Sequence, residues 1–284
     1  MYYRTDLAVE AHELTKGEAE QLEGVVSRTE KHDDFSVTTV EIINEQGART
    51  LGKSIGKYIT IEVPEIKYST QAYESACAAL AAEIKKLAQI NSGTLTLVVG
   101  LGNENITPDR LGTETVSEIM VTHHMKKHAP EIFGDSVSSV CAIAPGVMGT
   151  TGMETSEVIK SIAESLKPDL IIAVDALAAA DFSRIGVTVQ LSDAGIQPGA
   201  GVGNNRNAVS KEELGIPVIA IGVPTVVDAM TLLGENRDEK LQPLIVTPRD
   251  IDLVTERCAK TISGGINLAL QEGMTLTEIE EYVG

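Results

Sequence analysis

Hydrophobic and polar positions alternate in two early stretches of the chain, residues 36 to 43 (SVTTVEII) and 58 to 63 (YITIEV). A period of two in β-branched residues marks half-buried strands, and Asn44, Glu45, Gln46 and Gly47 between them are turn formers, so the pattern predicts a β-hairpin. From residue 70 the pattern changes. An Ala-rich helix is predicted over 71 to 89, a turn at 91 to 93, a short apolar strand over 94 to 99 (TLTLVV), and a helix over 113 to 128 that Thr113 would cap. The unit recurs as a strand over 138 to 144 with a helix over 154 to 166, then a strand over 169 to 174 running into DALAAADF. A fourth copy pairs a strand over 217 to 222 with a helix over 225 to 233. Strands nearly continuous in Val, Ile, Leu and Ala belong to a parallel sheet covered on both faces. The predicted architecture is a single α/β domain over 1 to 284: a β-ribbon part over 7 to 69, then a doubly wound, mostly parallel sheet with helices on both faces over 70 to 284.

Composition narrows the partners. A chain of 284 residues with 43% hydrophobic content can bury a sizeable core. It has no Trp, 3% aromatic residues and a net charge of −18, which leaves little to stack on bases and repels a phosphate backbone, so nucleic acid is not an expected partner. The start, MYYRTDLAVEAHELT, has no apolar run of signal-peptide length, and no later segment has membrane-span length without charges; a cytoplasmic protein with no membrane partner is expected. Cys77, Cys141 and Cys258 are odd in number and far apart, which suggests core residues and neither a disulfide framework nor a thiolate metal cage.

Residues 47 to 54, GARTLGKS, match the phosphate-cradling pattern of nucleotide hydrolases, and LIIAVD at 170 to 175 has the form of a magnesium-holding strand end. That motif needs a helix leaving the loop with its amino end on the phosphates. Here the chain leaves into the alternating strand before Pro64, so the match is read as coincidental. His124 and His128 lie four apart without the intervening Glu of a zinc hydrolase, and 123 to 128 is read as a solvated helix end. GAGVGN at 199 to 204 echoes a dinucleotide fingerprint, but it follows Pro198 and precedes NNRN; it is read as a structured, substrate-facing loop. No metal or cofactor is expected.

In a doubly wound sheet, chemistry collects where parallel strands finish. The loops after the strands over 94 to 99, 138 to 144, 169 to 174 and 217 to 222 should therefore share an edge. In the first, GLGNENITPDRLG, Thr107, Pro108 and Asp109 have the form of a helix start, so Asp109 is either a capping acid or a carboxylate held ionised and aimed into the cleft. Asp175, read as the first residue beyond LIIAV, is either a turn residue or a desolvated carboxyl of raised pKa. Two carboxylates pushed apart in this way suit one base and one acid acting on a shared water.

Several stretches together resemble the germination protease family of spore-forming bacteria: RTDLAVEA (4 to 11), GLGN followed by ITPD (100 to 109), APGVMGTTGMETSEVI (144 to 159), LIIAVDALAA (170 to 179), DAGIQPGAGVGN (193 to 204) and GIPVIAIGVPTVVDA (215 to 229). The resemblance implies an endopeptidase of atypical aspartic type that degrades small acid-soluble spore proteins during germination in the spore core. It implies Asp109 and Asp175 as the catalytic pair, and a homotetramer made as a zymogen. It also implies self-cleavage at Asp6-Leu7, which makes residues 1 to 6 a pro-segment. Gly100, Gly102, Asn103, Gly149, Thr150, Thr151, Gly152, Gly201 and Gly203 are the expected substrate or oxyanion loop positions. Glu104, Asp181 and Gln197 depart from the family pattern, and the carboxyl end after 270 is short. The fold is also similar to that of hydrogenase-maturation peptidases, so the alternatives are a metal-assisted peptidase using both aspartates with a His, or a non-catalytic peptide-binding protein.

Overall fold

The structure, a computed structural model, describes residues 4–17, 22–66, 68–88, 90–91, 93–129, 131, 137–199, 207–233, 241 and 244–283. Helix α1 (Ala8–Lys16) is followed by strands β1 (Val25–Lys31) and β2 (Ser36–Ile42), helix α2 (Glu45–Leu51) and strand β3 (Gly56–Glu62). Helix α3 (Thr70–Leu87) leads to β4 (Leu95–Gly100), α4 (Leu111–Ser117), α5 (His123–His128) and β5 (Ser139–Ile143). Then come α6 (Thr155–Leu166), β6 (Leu170–Ala179), β7 (Thr188–Ser192), β8 (Val218–Asp228), β9 (Ile245–Val246) and α7 (Ile251–Leu270).

The described strands form one open mixed sheet of the α/β class, ordered β1-β2-β3-β7-β8-β6-β4-β5, with β9 paired to β8. Its centre, β5-β4-β6-β8, is parallel. Both faces of that centre are covered, which is why its strands are apolar throughout. Val98, Ile172 and Val174 pack in the cluster that holds α3, Leu111 of α4 and α7. Leu97, Val99, Ile171 and Ala173 pack with Ile159 and Ala163 of α6 on the other face. Helix α3 starts at the Ser69 hydroxyl, which accepts from Ala72 N–H at 3.2 Å, and presents Ala72, Ala76, Leu80 and Ile84 as one buried stripe. A Cβ at Gly265 of α7 would lie 2.6 Å from Leu80, so only glycine permits that close helix crossing.

The hairpin expectation holds in its pairing, which runs from Ser36↔Glu62 to Ile42↔Gly56, but the connection is helix α2 instead of a tight turn. Asn44 Oδ1 accepts from Gly47 N–H at 2.9 Å, so the first glycine of the GARTLGKS motif sits in a helix cap, and the motif exits into β3. Strand β7, which the sequence pattern did not predict, joins this ribbon to the parallel centre, antiparallel to both β3 and β8.

Three predicted elements are corrected. The helix expected over 113 to 128 is broken: α4 starts at Leu111 and ends at Ser117, and Thr113 lies inside it. The reason is Asn267 on α7, whose carboxamide takes Met120 N–H at 3.0 Å and gives to the Glu118 carbonyl at 2.9 Å, replacing intrahelical partners. The strand expected over 169 to 174 does not stop there; β6 runs on through DALAA to Ala179 because β8 pairs alongside it as far as Ala179↔Val227. For the same reason the helix expected over 225 to 233 is strand through Asp228, with a helical turn only at Ala229–Leu232. Ladder pairing between two buried strands outweighs the helix propensity of the alanines. Among the described residues, no helix is long and apolar enough to cross a membrane.

Candidate active site

Asp175 lies within β6 opposite Gly222, not at the first position beyond the strand, and only 4% of its surface is exposed. Its Oδ1 accepts from Ala176 N–H at 2.9 Å. Asp109 closes the short 3-10 turn Thr107–Asp109, and its Oδ2 accepts from Asn103 N–H at 2.9 Å. That turn is clamped from outside. The Thr225 hydroxyl of β8 donates to the Pro108 carbonyl at 2.7 Å, and the Thr255 hydroxyl of α7, which donates to the Ile251 carbonyl of its own helix at 2.8 Å, stands 3.4 Å from the Thr107 carbonyl. Gly102 has φ +107°, and a Cβ there would lie 1.9 Å from the Asp109 carbonyl oxygen, so the loop after β4 can fold against the Asp109 turn only because residue 102 lacks a side chain. The two aspartates, sixty-six positions apart in the chain, line one cavity of about 240 Å³.

The amino-terminal segment is docked against this cavity. Asp6 lines it, and with Leu177 also lines a neighbouring cavity of about 740 Å³. Asp6 N–H donates to the Ala178 carbonyl at 2.9 Å, and Ala178 N–H donates to Asp6 Oδ2 at 2.8 Å. Leu7 and Ala8 are fully buried. A helix begins at Ala8, and the buried Glu10 in its first turn accepts from the amides of Ala180 and Asp181 at 2.7 and 2.9 Å. Arg184 stands 3.5 Å from Glu10, and the Thr5 hydroxyl also donates to it. Lys53, from the GARTLGKS motif, donates to the Thr5 carbonyl at 3.3 Å; burial pushes its pKa down, and the carboxylates of Asp6 and Glu10 pull it partly back. Gln190 of β7 reaches the segment through both ends of its carboxamide: Nε2 donates to the Asp6 carbonyl at 3.1 Å, and Oε1 accepts from Ala8 N–H at 2.7 Å.

The expected loop positions divide. Gly102 lines the smaller cavity, Asn103 holds Asp109, and Gly100 is buried at the end of β4. Gly149, Thr150, Thr151 and Gly152 fall in or just after a helical turn in which the amides of Thr150, Thr151 and Gly152 donate to Val147 and Met148 carbonyls at 2.8 to 3.0 Å. Val147 and Thr155, which flank that turn, line the cavity in their place. Gly201 and Gly203 lie outside the described residues, whereas Pro198 and Gly199 line the cavity. Of the departures from the family pattern, Glu104 is exposed, Gln197 lines the larger cavity, and Asp181 caps a short turn. The Ser183 amide and hydroxyl hold the Asp181 carboxyl below its ordinary pKa.

His123 is not brought to the aspartates. His123 Nδ1 meets Ser139 Oγ at 2.8 Å, at the amino end of β5, while the aspartates stand toward the carboxyl ends of the parallel strands. Among the described residues no group of three or more His, Cys, Asp or Glu is placed to hold a metal ion. Cys77 and Cys258 are buried core residues and Cys141 is half-buried, with burial pushing the Cys77 thiol up to about 12. Sequence reasoning missed Thr225, Thr255 and Gln190. Gln190 is one of two polar residues, with Thr188, in the short run 187 to 191 (VTVQL), and nothing in that run marks it as reaching the amino-terminal segment.

The profile of the germination protease family matches residues 4–242. The germination protease of Clostridium perfringens is 42% identical, with 99% of this chain and 98% of that protein covered. That of Caldanaerobacter subterraneus subsp. tengcongensis is 43% identical over the same shares, and that of a Geobacillus species is 46% identical over 83% of this chain and 66% of its own length.

Proposed function

Because this chain belongs to the germination protease family and is therefore a protease, we propose that it is an endopeptidase of aspartic type whose acting groups are Asp109 and Asp175. The observation that carries this reading is that Asp109, Asp175 and Asp6 line one cavity. In the proposed reaction one carboxylate takes a proton from water as its oxygen attacks the carbonyl carbon. The tetrahedral adduct collapses, the C–N bond breaks, and the second carboxyl gives its proton to the leaving nitrogen, so water is divided between the new acid and the new amine. Asp109, the more exposed of the two, is assigned the base and the buried Asp175 the acid, since burial favours a neutral carboxyl.

The proposed first substrate is the chain itself, at Asp6-Leu7, which would release residues 1 to 6. What supports this is the docking of that segment by Ala178, Gln190 and Lys53 beside the aspartates. A carboxylate side chain, a large apolar one, then Ala describes the sequence held there, and the later substrates proposed are small acid-soluble spore proteins carrying a similar stretch. The site of action is the spore core, and the assembly expected is a homotetramer.

Incubation with a small acid-soluble spore protein, read by mass spectrometry, tests the assignment. Asp109→Asn and Asp175→Asn should each lower cleavage by about 1000-fold or more while leaving the fold intact, on the scale of losing a member of a concerted catalytic group. Retained activity in either variant removes that residue from the mechanism.

A further inference from the structure

We propose that Gln190 is the oxyanion donor of this enzyme, a role that rests on cleavage at Asp6-Leu7. The carbonyl that would be attacked is that of Asp6, and the Gln190 Nε2 donates to it at 3.1 Å. Which end of the carboxamide is nitrogen follows from its partners: the Asp6 carbonyl only accepts and the Ala8 N–H only donates, so one orientation alone satisfies both bonds. The Asp6 residue stands between two cavities, the smaller lined by Asp109 and Asp175 and the larger by Gln190. Water can therefore be activated from one cavity while the carbonyl oxygen is held from the other.

In the attack, a C–O bond forms to the Asp6 carbonyl carbon and the carbonyl π pair moves onto its oxygen, directly at the Nε2–H of Gln190. A neutral carboxamide suits this task, because it stabilises a developing negative charge without itself gaining or losing a proton. Its placement is rigid. Gln190 is 7% exposed, it sits in β7 between β3 and β8, and its Oε1 is pinned by Ala8 N–H.

A further substrate bound in the same register would place the amide of its own second residue after the cut where Ala8 N–H lies, once Leu7 and Ala8 have left the site. Oε1 would then be pinned and Nε2 aimed at the attacked carbonyl in each turnover.

Two variants of nearly the same shape test this. Gln190→Glu keeps an acceptor for Ala8 N–H and removes the donor; Gln190→Met removes both. Each is assayed in the full chain for loss of residues 1 to 6 and, in steady state, for cleavage of the peptide YRTDLAVEAH taken from residues 3 to 12, with circular dichroism to establish folding. The expected result is a fall in kcat of about 100-fold or more with KM within about threefold, the pattern of a donor used in the transition state. A purely structural role would instead shift the melting temperature and KM together. Folded variants with kcat within about threefold of wild type overturn the proposal, as does failure of both variants to fold, which would assign Gln190 to holding the amino terminus. Asp109→Asn and Asp175→Asn run in the same assay separate the two readings. If they abolish cleavage and the Gln190 variants do not, only the role of Gln190 falls.

Discussion

Replacing Gly102 by Ala should disable catalysis far more than it disturbs the fold. At φ +107° an alanine pays about 1–3 kcal/mol in backbone strain, within the 5–15 kcal/mol by which a domain is normally stable. The contact is more serious than the strain. The added Cβ would sit 1.9 Å from the Asp109 carbonyl oxygen, where real contacts do not fall below 3.0 Å, so either the Gly102 loop or the Thr107–Asp109 turn must retreat by about 1 Å. The turn cannot move freely because Thr225 holds the Pro108 carbonyl, and a shift of either the turn or the loop disturbs the 2.9 Å bond from Asn103 N–H that places the Asp109 carboxylate. A misplacement of about 1 Å at a reacting group lowers the rate by about 100-fold, close to 2.7 kcal/mol in the barrier. Steady-state cleavage of YRTDLAVEAH, paired with urea unfolding, measures both effects. A folded Gly102→Ala protein with a rate within about threefold of wild type would refute the claim that this glycine sets the position of Asp109.

Thr225→Val keeps shape but leaves the Pro108 carbonyl without its 2.7 Å partner; stability should fall by about 1–3 kcal/mol and the cleavage rate by about tenfold, read by urea unfolding and initial rates. Burial should also make stability depend on pH on the alkaline side. Cys77 and Tyr58 are both pushed up to about 12 by burial, so from about pH 9 the unfolded chain binds fewer protons at these groups than the native one and their contribution to the stability slope with pH is negative until native-state ionisation near 12. Because the lowered pKa of Lys53 contributes a slope of opposite sign up to its ordinary value of 10.5, the effect is read as a difference: the change in urea midpoint between pH 8 and 11 should be less negative in Cys77→Ala and Tyr58→Phe than in wild type, and Cys77 should resist a thiol reagent at pH 8 until the protein unfolds; identical pH profiles in all three proteins would contradict these burial effects.

The parallel centre was legible because its strands carry a strong local signal. TLTLVV and LIIAV are too apolar to face water on either side, and helices cover both faces as that demands. What escaped was decided by partners distant in sequence. Nothing in the alanine-rich DALAAADF marks it as strand, yet β8 draws its first residues into the sheet; the break before His123 comes from Asn267, more than 140 positions away. The aspartates could be nominated from the strand ends, but the end of the third strand was placed five residues too early, at Val174 instead of Ala179, since nothing in LIIAVD marks how far the ladder runs. Lys53 shows the same limit from the other side. Its motif suggested a phosphate loop, whereas its contact is the carbonyl of Thr5, forty-eight positions earlier. Gln190 acquires meaning only when the amino-terminal segment lies against it.

The most direct test is the intact mass of the purified full-length protein over time, for wild type and for Asp109→Asn and Asp175→Asn. The account predicts that wild type converts to a species beginning at Leu7 while both variants keep the whole amino terminus. A new amino terminus at Leu7 in either variant would contradict it.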